Sequence, residues 1–166
     1  MNNEEKFKFI NNWLIPFHPF LKVGFCLEAE GKTEIAAGLK ANYKTVFSGT
    51  WPELSIDYAK LQLSSGSLPG LTEPELQYLE SGELELSWKL DVSFGASYDD
   101  QPILAIYCPE LQISDGFIGG LSRAAGKCLH QLDERIAGKA LEVYVCVAAL
   151  DRKQISDSIY LGRFSL

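Results

Sequence analysis

The segment Gly31-Lys32-Thr33 ends the way a phosphate-binding loop ends, with a lysine and a threonine placed for phosphate and its metal. That chemistry works because backbone N–H groups wrap the phosphate over a fixed length, so the first glycine must stand five residues before Gly31. Cys26 occupies that position, and Gly24 lies two residues too far upstream. A second approximation, Gly120 to Gly126-Lys127, has one residue too many between its glycines, and Cys128 replaces the hydroxyl residue. Nucleotide binding is not expected. The two segments read as a helix start and a flexible turn.

His18 and His130 are the two histidines of the chain. A histidine base needs a nucleophile beside it and a third group to orient it, and no G-x-S-x-G segment is present. His18 sits between two prolines in an aromatic cluster, and His130 lies in KCLHQLD; both read as structural. Asp99 and Asp100 form an adjacent acid pair, but calcium needs more oxygen ligands at regular spacing. They read as initiators of the turn before ILAIYC, their side chains bonding backbone N–H groups. Asp133, Glu134 and Arg135 read as a solvated loop. A carboxylate pair assembled in space, as in glycosidases, stays open. The four cysteines, Cys26, Cys108, Cys128 and Cys146, form no C-x-x-C pair, so zinc is not expected and buried thiols are preferred to disulfides. No cofactor is called for.

Two residues remain as candidates for a binding surface. Trp51, next to Pro52, is better placed for exposure than Trp13 or Trp88, which fall on apolar stripes. It could stack on a sugar, or pack helices against strands. Arg123 lies in GFIGGLSRAAG (residues 116–126), the most loop-like stretch, and rigid scaffolds display ligand contacts on loops. A plain connection between strands is the rival reading.

The elements that position these residues fall into two blocks, 1–53 and 54–166. In the first, Phe7, Ile10, Trp13 and Leu14 form one helical stripe, with Asn2 or Asn3 as cap and Pro16 and Pro19 as breakers. A second helix is expected from Thr33, its cap, to Phe47, with Gly49 at its end. In the second, the period switches to two. SIDYAKLQLS, ELELSWKLDV, ILAIYC, ELQISDG, KCLHQLD, LEVYVCVAA and ISDSIYLGRF give about seven short strands, with ASYDDQP and DRKQ as connections. Helices grouped ahead of strands argue for α+β rather than a parallel α/β sheet.

ELELSWKL has one apolar face (Leu84, Leu86, Trp88, Leu90) and one polar face, so it is half solvated. LEVYVCVAA and ILAIYC are apolar on both sides. If Tyr144, Cys146 and Ala148 face the core, Val143, Val145 and Val147 face outward, and an exposed valine row is a patch that monomers avoid. The N-terminal helices are therefore expected to cover that sheet, through Phe7, Ile10, Trp13, Leu14, Leu39, Tyr43 and Phe47.

The formal net charge is −7 in 166 residues, with Lys and Arg unclustered. Phosphate backbones need a basic face, so nucleic acid is not an expected partner. The sequence shows no membrane span and no signal peptide.

Trp88, Tyr107 and Tyr144, followed by a final hairpin, resemble the core of a fibronectin type III module. The resemblance implies a seven-stranded antiparallel, immunoglobulin-like sandwich in which the tryptophan and the tyrosines share one core. NNWLIPFHPFLKVGF, GTWPELSIDYAKLQLSSGSLPG, DDQPILAIYCPE and ISDSIYLG, in that order, resemble an uncharacterised bacterial family known mainly from Bacteroidetes-type genomes. That resemblance implies no activity. The expected function is a non-catalytic protein-interaction or structural module. A carbohydrate-binding module is the alternative, and an enzyme with a loop-assembled site the third reading.

Overall fold

In the computed structural model, residues 3–29, 31–90 and 94–165 are described. Helix α1 (Asn3–Leu14) carries Glu4 and Glu5 in its first turn and buries Ile10, Trp13 and Leu14. Negative charge there complements the helix dipole; of the two expected caps, Asn2 lies outside the described residues and Asn3 is the first helical one. Pro16 and Pro19 redirect the helix rather than end it. A 3₁₀ turn (Ile15–Phe17) and helix α2 (His18–Gly24) follow at once, each with its proline in the first turn, where a missing N–H is not needed. Helix α3 (Glu34–Asn42) starts as expected, with the Thr33 hydroxyl accepting from Ala36 N at 3.1 Å. It stops short of Phe47 because the Asn42 side chain donates to Gln62 O and accepts from Gln62 N, at 2.8 and 2.7 Å. Gly38 permits α3 to lie close on α2: a Cβ there would come within 2.9 Å of Leu21.

The chain then forms a hairpin of β1 (Phe47–Thr50) and β2 (Glu53–Ile56). Gly49 thus belongs to a strand, not to a helix end. The alternating strand expected over 55–64 stops at Ile56, and a 3₁₀ turn capped by Asp57 replaces it. Seven further strands follow: β3 (Thr72–Tyr78), β4 (Glu83–Lys89), β5 (Gln101–Cys108), β6 (Ile113–Ile118), β7 (Lys127–Gln131), β8 (Leu141–Ala148) and β9 (Ile159–Phe164). Strand β3 was not expected. Its Pro74 sits at a bulge between Thr72 and Glu75 on an edge strand, where a missing donor is tolerated. All pairings are antiparallel, in sheets ordered β1-β2, β3-β4-β7 and β6-β5-β8-β9. The fold is α+β: a helical N-terminal region and, among the described residues, nine strands.

Two apolar layers result, one on each face of the four-stranded sheet. Leu84, Leu86 and Trp88 of β4 meet Leu104, Ile106, Val143, Val145 and Val147 between the two larger sheets. Ile10, Trp13, Leu14, Phe17, Phe20 and Leu21 cover the opposite face, over Ile103, Tyr107, Tyr144 and Cys146. The helices do cover this sheet, but the faces are reversed from the expectation. The valines point into the sandwich and Tyr144 points to the helices. Trp88 and the two tyrosines therefore lie in different layers. The reason is the hydroxyl: a buried tyrosine needs a hydrogen-bond partner. Tyr144 donates to Tyr58 O at 2.7 Å, in the chain that runs beneath the helices. Phe7 and Leu90 were also expected inside; they are 46% and 60% exposed. Leu90 lies one residue past β4, where the alternation has ended.

Candidate functional site

Of the two expected surface residues, Trp51 is half-buried. Its ring lies 5.3 Å from that of Phe9, and its Nε1–H donates to Glu5 Oε2 at 3.2 Å. It fastens the β1-β2 hairpin to α1, so it offers no free stacking platform. Arg123 is only 2% exposed. Its loop begins later than the expected 116–126, because Gly116, Phe117 and Ile118 belong to β6, and the guanidinium turns inward. Nε and Nη2 donate to Asp100 Oδ2 at 3.1 and 2.9 Å, Nη1 to Gly70 O, and Nη2 to Pro69 O. The Arg123 carbonyl accepts from Trp88 Nε1 at 2.7 Å. Asp100 also accepts from Ser97 N at 2.8 Å, the turn role expected of it. One ion pair thus clasps three loops and the end of β4.

His130 and Asp115 are brought together at the open edge of the sandwich, from β7 of one sheet and β6 of the other. His130 Nε2 donates to Asp115 Oδ1 at 3.0 Å, and Asp115 also accepts from the backbone N–H of Gly116 and of Asp133. Burial alone would raise the Asp115 carboxyl. The His130 bond and the two backbone donors outweigh it and hold its pKa below the ordinary value. The thiol on the same face of β7, Cys128, is pushed up by burial and so is a weak nucleophile. The pair acts as a tie between sheets. A carboxylate with a lowered pKa stabilises the fold above its ordinary pKa of about 3.9, and that contribution is lost as pH falls through its lower folded value. Asp115→Asn should therefore flatten the acid limb of the stability profile, measured by urea unfolding across a pH series. An unchanged limb would remove Asp115 from this role.

A second carboxylate, Glu142, is 1% exposed; it accepts from Tyr160 Oη at 2.5 Å and faces Arg163 at 3.8 Å. Burial, first of several causes, raises the Tyr160 hydroxyl, which therefore stays a neutral donor. His18 opens α2, its pKa lowered by burial and then by Lys22. All four cysteines are free thiols, with Cys108 and Cys146 buried.

What the sequence reading missed lies at one end of the sandwich. There β4 ends, β5 and β7 begin and β8 ends. Four large apolar side chains are exposed on the loops: Leu90 at 60%, Phe94 fully, Tyr98 at 62% and Leu150 at 58%. A hollow of about 400 Å³ between loops 95–100 and 149–154 has Asp99, Asp151 and Gln154 on its walls. The clasp lies directly beneath: Ala124 N donates to Tyr98 O, and Arg123 N to Asp100 O. The signal was available in FGASYDD, whose two aromatics belong to no alternating strand. A second hollow, about 510 Å³, runs between α1 and α3 and is lined by Phe7, Ala36, Leu39, Lys40, Tyr43 and Lys44. His130 lines neither.

A family model described as a family of unknown function (DUF6266) matches residues 1–162. No curated protein matches the chain. No helix among the described residues is long and apolar enough to cross a membrane.

Proposed function

The chain belongs to this family of unknown function, which supplies no activity to carry over, and from that premise we propose that it is a non-catalytic protein-interaction module whose contact surface is the loop end. The observation that carries the reading is the group of exposed apolar side chains, Leu90, Phe94, Tyr98 and Leu150, on two adjoining loops. Scattered exposed apolar residues need no explanation, but four on the loops at one end of a sandwich favour an interaction surface. Aromatic residues are favoured there because they offer large contact area at small entropic cost. The clasp supports the same reading. It holds the loop that carries Tyr98 in one arrangement before any partner arrives, which lowers the cost of binding.

The architecture supports a fibronectin type III-like identity. The β3–β9 strands pair as first-second-fifth and fourth-third-sixth-seventh. In the constant-type immunoglobulin sandwich the fourth strand pairs with the fifth instead. In both arrangements the strands carrying Tyr107 and Tyr144 are neighbours, and the second-to-third and sixth-to-seventh loops share one end. In variable immunoglobulin domains that end binds antigen.

A photo-crosslinking residue at Phe94 or Leu150 tests this in cells that make the protein. Expected is an adduct of discrete mass from each loop position and none from Glu75, on the outer face of β3. Loop positions that capture nothing would overturn the proposal.

A further inference from the structure

The groove between α1 and α3 is apolar along its floor and basic along its margins. Phe7 of α1 meets Tyr43, which caps the end of α3, with ring centroids 6.3 Å apart. Ala36 and Leu39 continue the stripe along α3 at helical spacing. Leu39 and Tyr43 pack on the core only in part, and Phe7 is 46% exposed. The remaining apolar surface opens into the hollow of about 510 Å³. Lys40 and Lys44 stand on its wall one turn apart, and Lys6 lies over the Tyr43 ring, its Nζ 5.3 Å from the centroid. Among the described residues none of these three lysines is held in an ion pair. The nearby acids do not cancel them. Glu5 is turned to Trp51, and Glu34 falls on the side of α3 opposite Tyr43. Glu28 lies on the other flank of α3, where it accepts from Ser65 Oγ and has Lys32 as well as Lys40 beside it. That leaves Glu4, one turn before Phe7, against three lysines. The margin runs against a composition of 22 acidic and 15 basic residues.

We infer that this groove docks an acidic amphipathic helix of a partner protein, its apolar stripe on Phe7, Leu39 and Tyr43 and its carboxylates toward Lys6, Lys40 and Lys44. The surface is separate from the loop end, and the inference does not rest on that reading. Grooves of this kind take apolar side chains at i, i+3, i+4 and i+7 from the visiting helix. The charges decide its chemistry. A single anionic headgroup needs one lysine, whereas lysines on both helices and one turn apart suit carboxylates repeated along a chain. The contact is small, so the complex is of the weak, reversible class.

Fluorescence anisotropy with three synthetic peptides of about four helical turns tests this on the full chain. The first has leucines at the spacing above and glutamates on both flanks. The second replaces its glutamates by lysines, and the third replaces its leucines by serines. The first should bind with a dissociation constant of about 10–100 μM, and the other two at least about ten-fold more weakly. Its affinity should fall as salt is raised. Lys40→Glu with Lys44→Glu, at two exposed positions, should weaken the first peptide at least about ten-fold and strengthen the second, with an unchanged melting temperature. Should that variant melt early, Phe7→Ser replaces it and should weaken the first peptide alike. Amide shifts in the wild type should move along α1 and α3 and stay fixed in loop 95–100. A first peptide that fails to bind, that binds the reversed variant equally well, or that shifts the loop end instead overturns the inference. So does oleate that shifts α1 and α3 where the first peptide does not, because the groove then belongs to an amphiphile with one headgroup. Crosslinking from Phe94 is indifferent to these variants, so either surface can fail without the other.

Discussion

Asp100→Asn and Arg123→Met should each lower stability by about 3–5 kcal/mol, the range for removing one partner of a buried ion pair. Both side chains are 3% exposed, so the charge left behind cannot recover its hydration. Arg123→Met also strips the donors from Gly70 O and Pro69 O, and Asp100→Asn leaves a guanidinium facing a neutral amide. At roughly 2–4 °C per kcal/mol for a chain of this size, the melting midpoint should drop by about 10 °C. Arg123→Lys should fall nearly as far. One ammonium cannot reproduce the fork that reaches Asp100 and two carbonyls in different directions. Thermal melts of the three variants check this, and a loss under about 1 kcal/mol in all of them would show that the loops do not depend on the clasp. The same variants link stability to function. With the clasp gone, Tyr98 and Leu150 lose their fixed spacing, so crosslinking from Phe94 should weaken more than melting alone explains.

How much of this was legible in the sequence depends on the range of the signal. Local alternation carried ELELSWKL, because three leucine and tryptophan positions on one face decide a strand without reference to the rest of the chain. The Thr33 cap was legible for the same reason. The end of α3 was not: the helix stops where Asn42 meets Gln62, a contact between segments that only the folded chain brings together. SIDYAKLQLS alternates well enough for a strand, yet beyond Ile56 it runs under the helices, where Tyr58 O is needed by the Tyr144 hydroxyl. Period-two apolarity reports burial, and here burial came without strand pairing. Arg123 failed differently. The glycine-rich stretch around it leaves the strand only after Ile118, and nothing local distinguishes an arginine pointing outward from one closing on a carboxylate far away in sequence. Phe94 and Tyr98 carry no periodic signal, because turn-forming neighbours, Gly95 and Asp99, dominate that stretch.

Val145→Asp and Cys146→Asp should both unfold a large fraction of the molecule, and the pair tests the two-layer arrangement more sharply than either alone. Adjacent residues of a strand point to opposite faces. On a sheet with one wet face, one of two neighbouring aspartates would reach water at little cost. Here Val145 is 1% exposed among Leu84, Leu86 and Leu104, and Cys146 is 6% exposed beneath the helices. Each substitution therefore buries a carboxylate, at Val145 with no charged partner and at Cys146 with only the Ser64 hydroxyl and the charge of Arg152 near it. The expected loss is at least about 4 kcal/mol in both cases, at the diagnostic end of single-substitution effects. Val145 reports on sheet-to-sheet packing, and Cys146 reports on the helical layer. Urea unfolding of both variants measures the two layers separately. A severe loss at Val145 with a mild one at Cys146 would mean that the helices detach from the sheet in solution. In that case Tyr107 and Tyr144 would stand exposed beside one another, on a face whose cover is otherwise made by Trp13, Phe17 and Phe20.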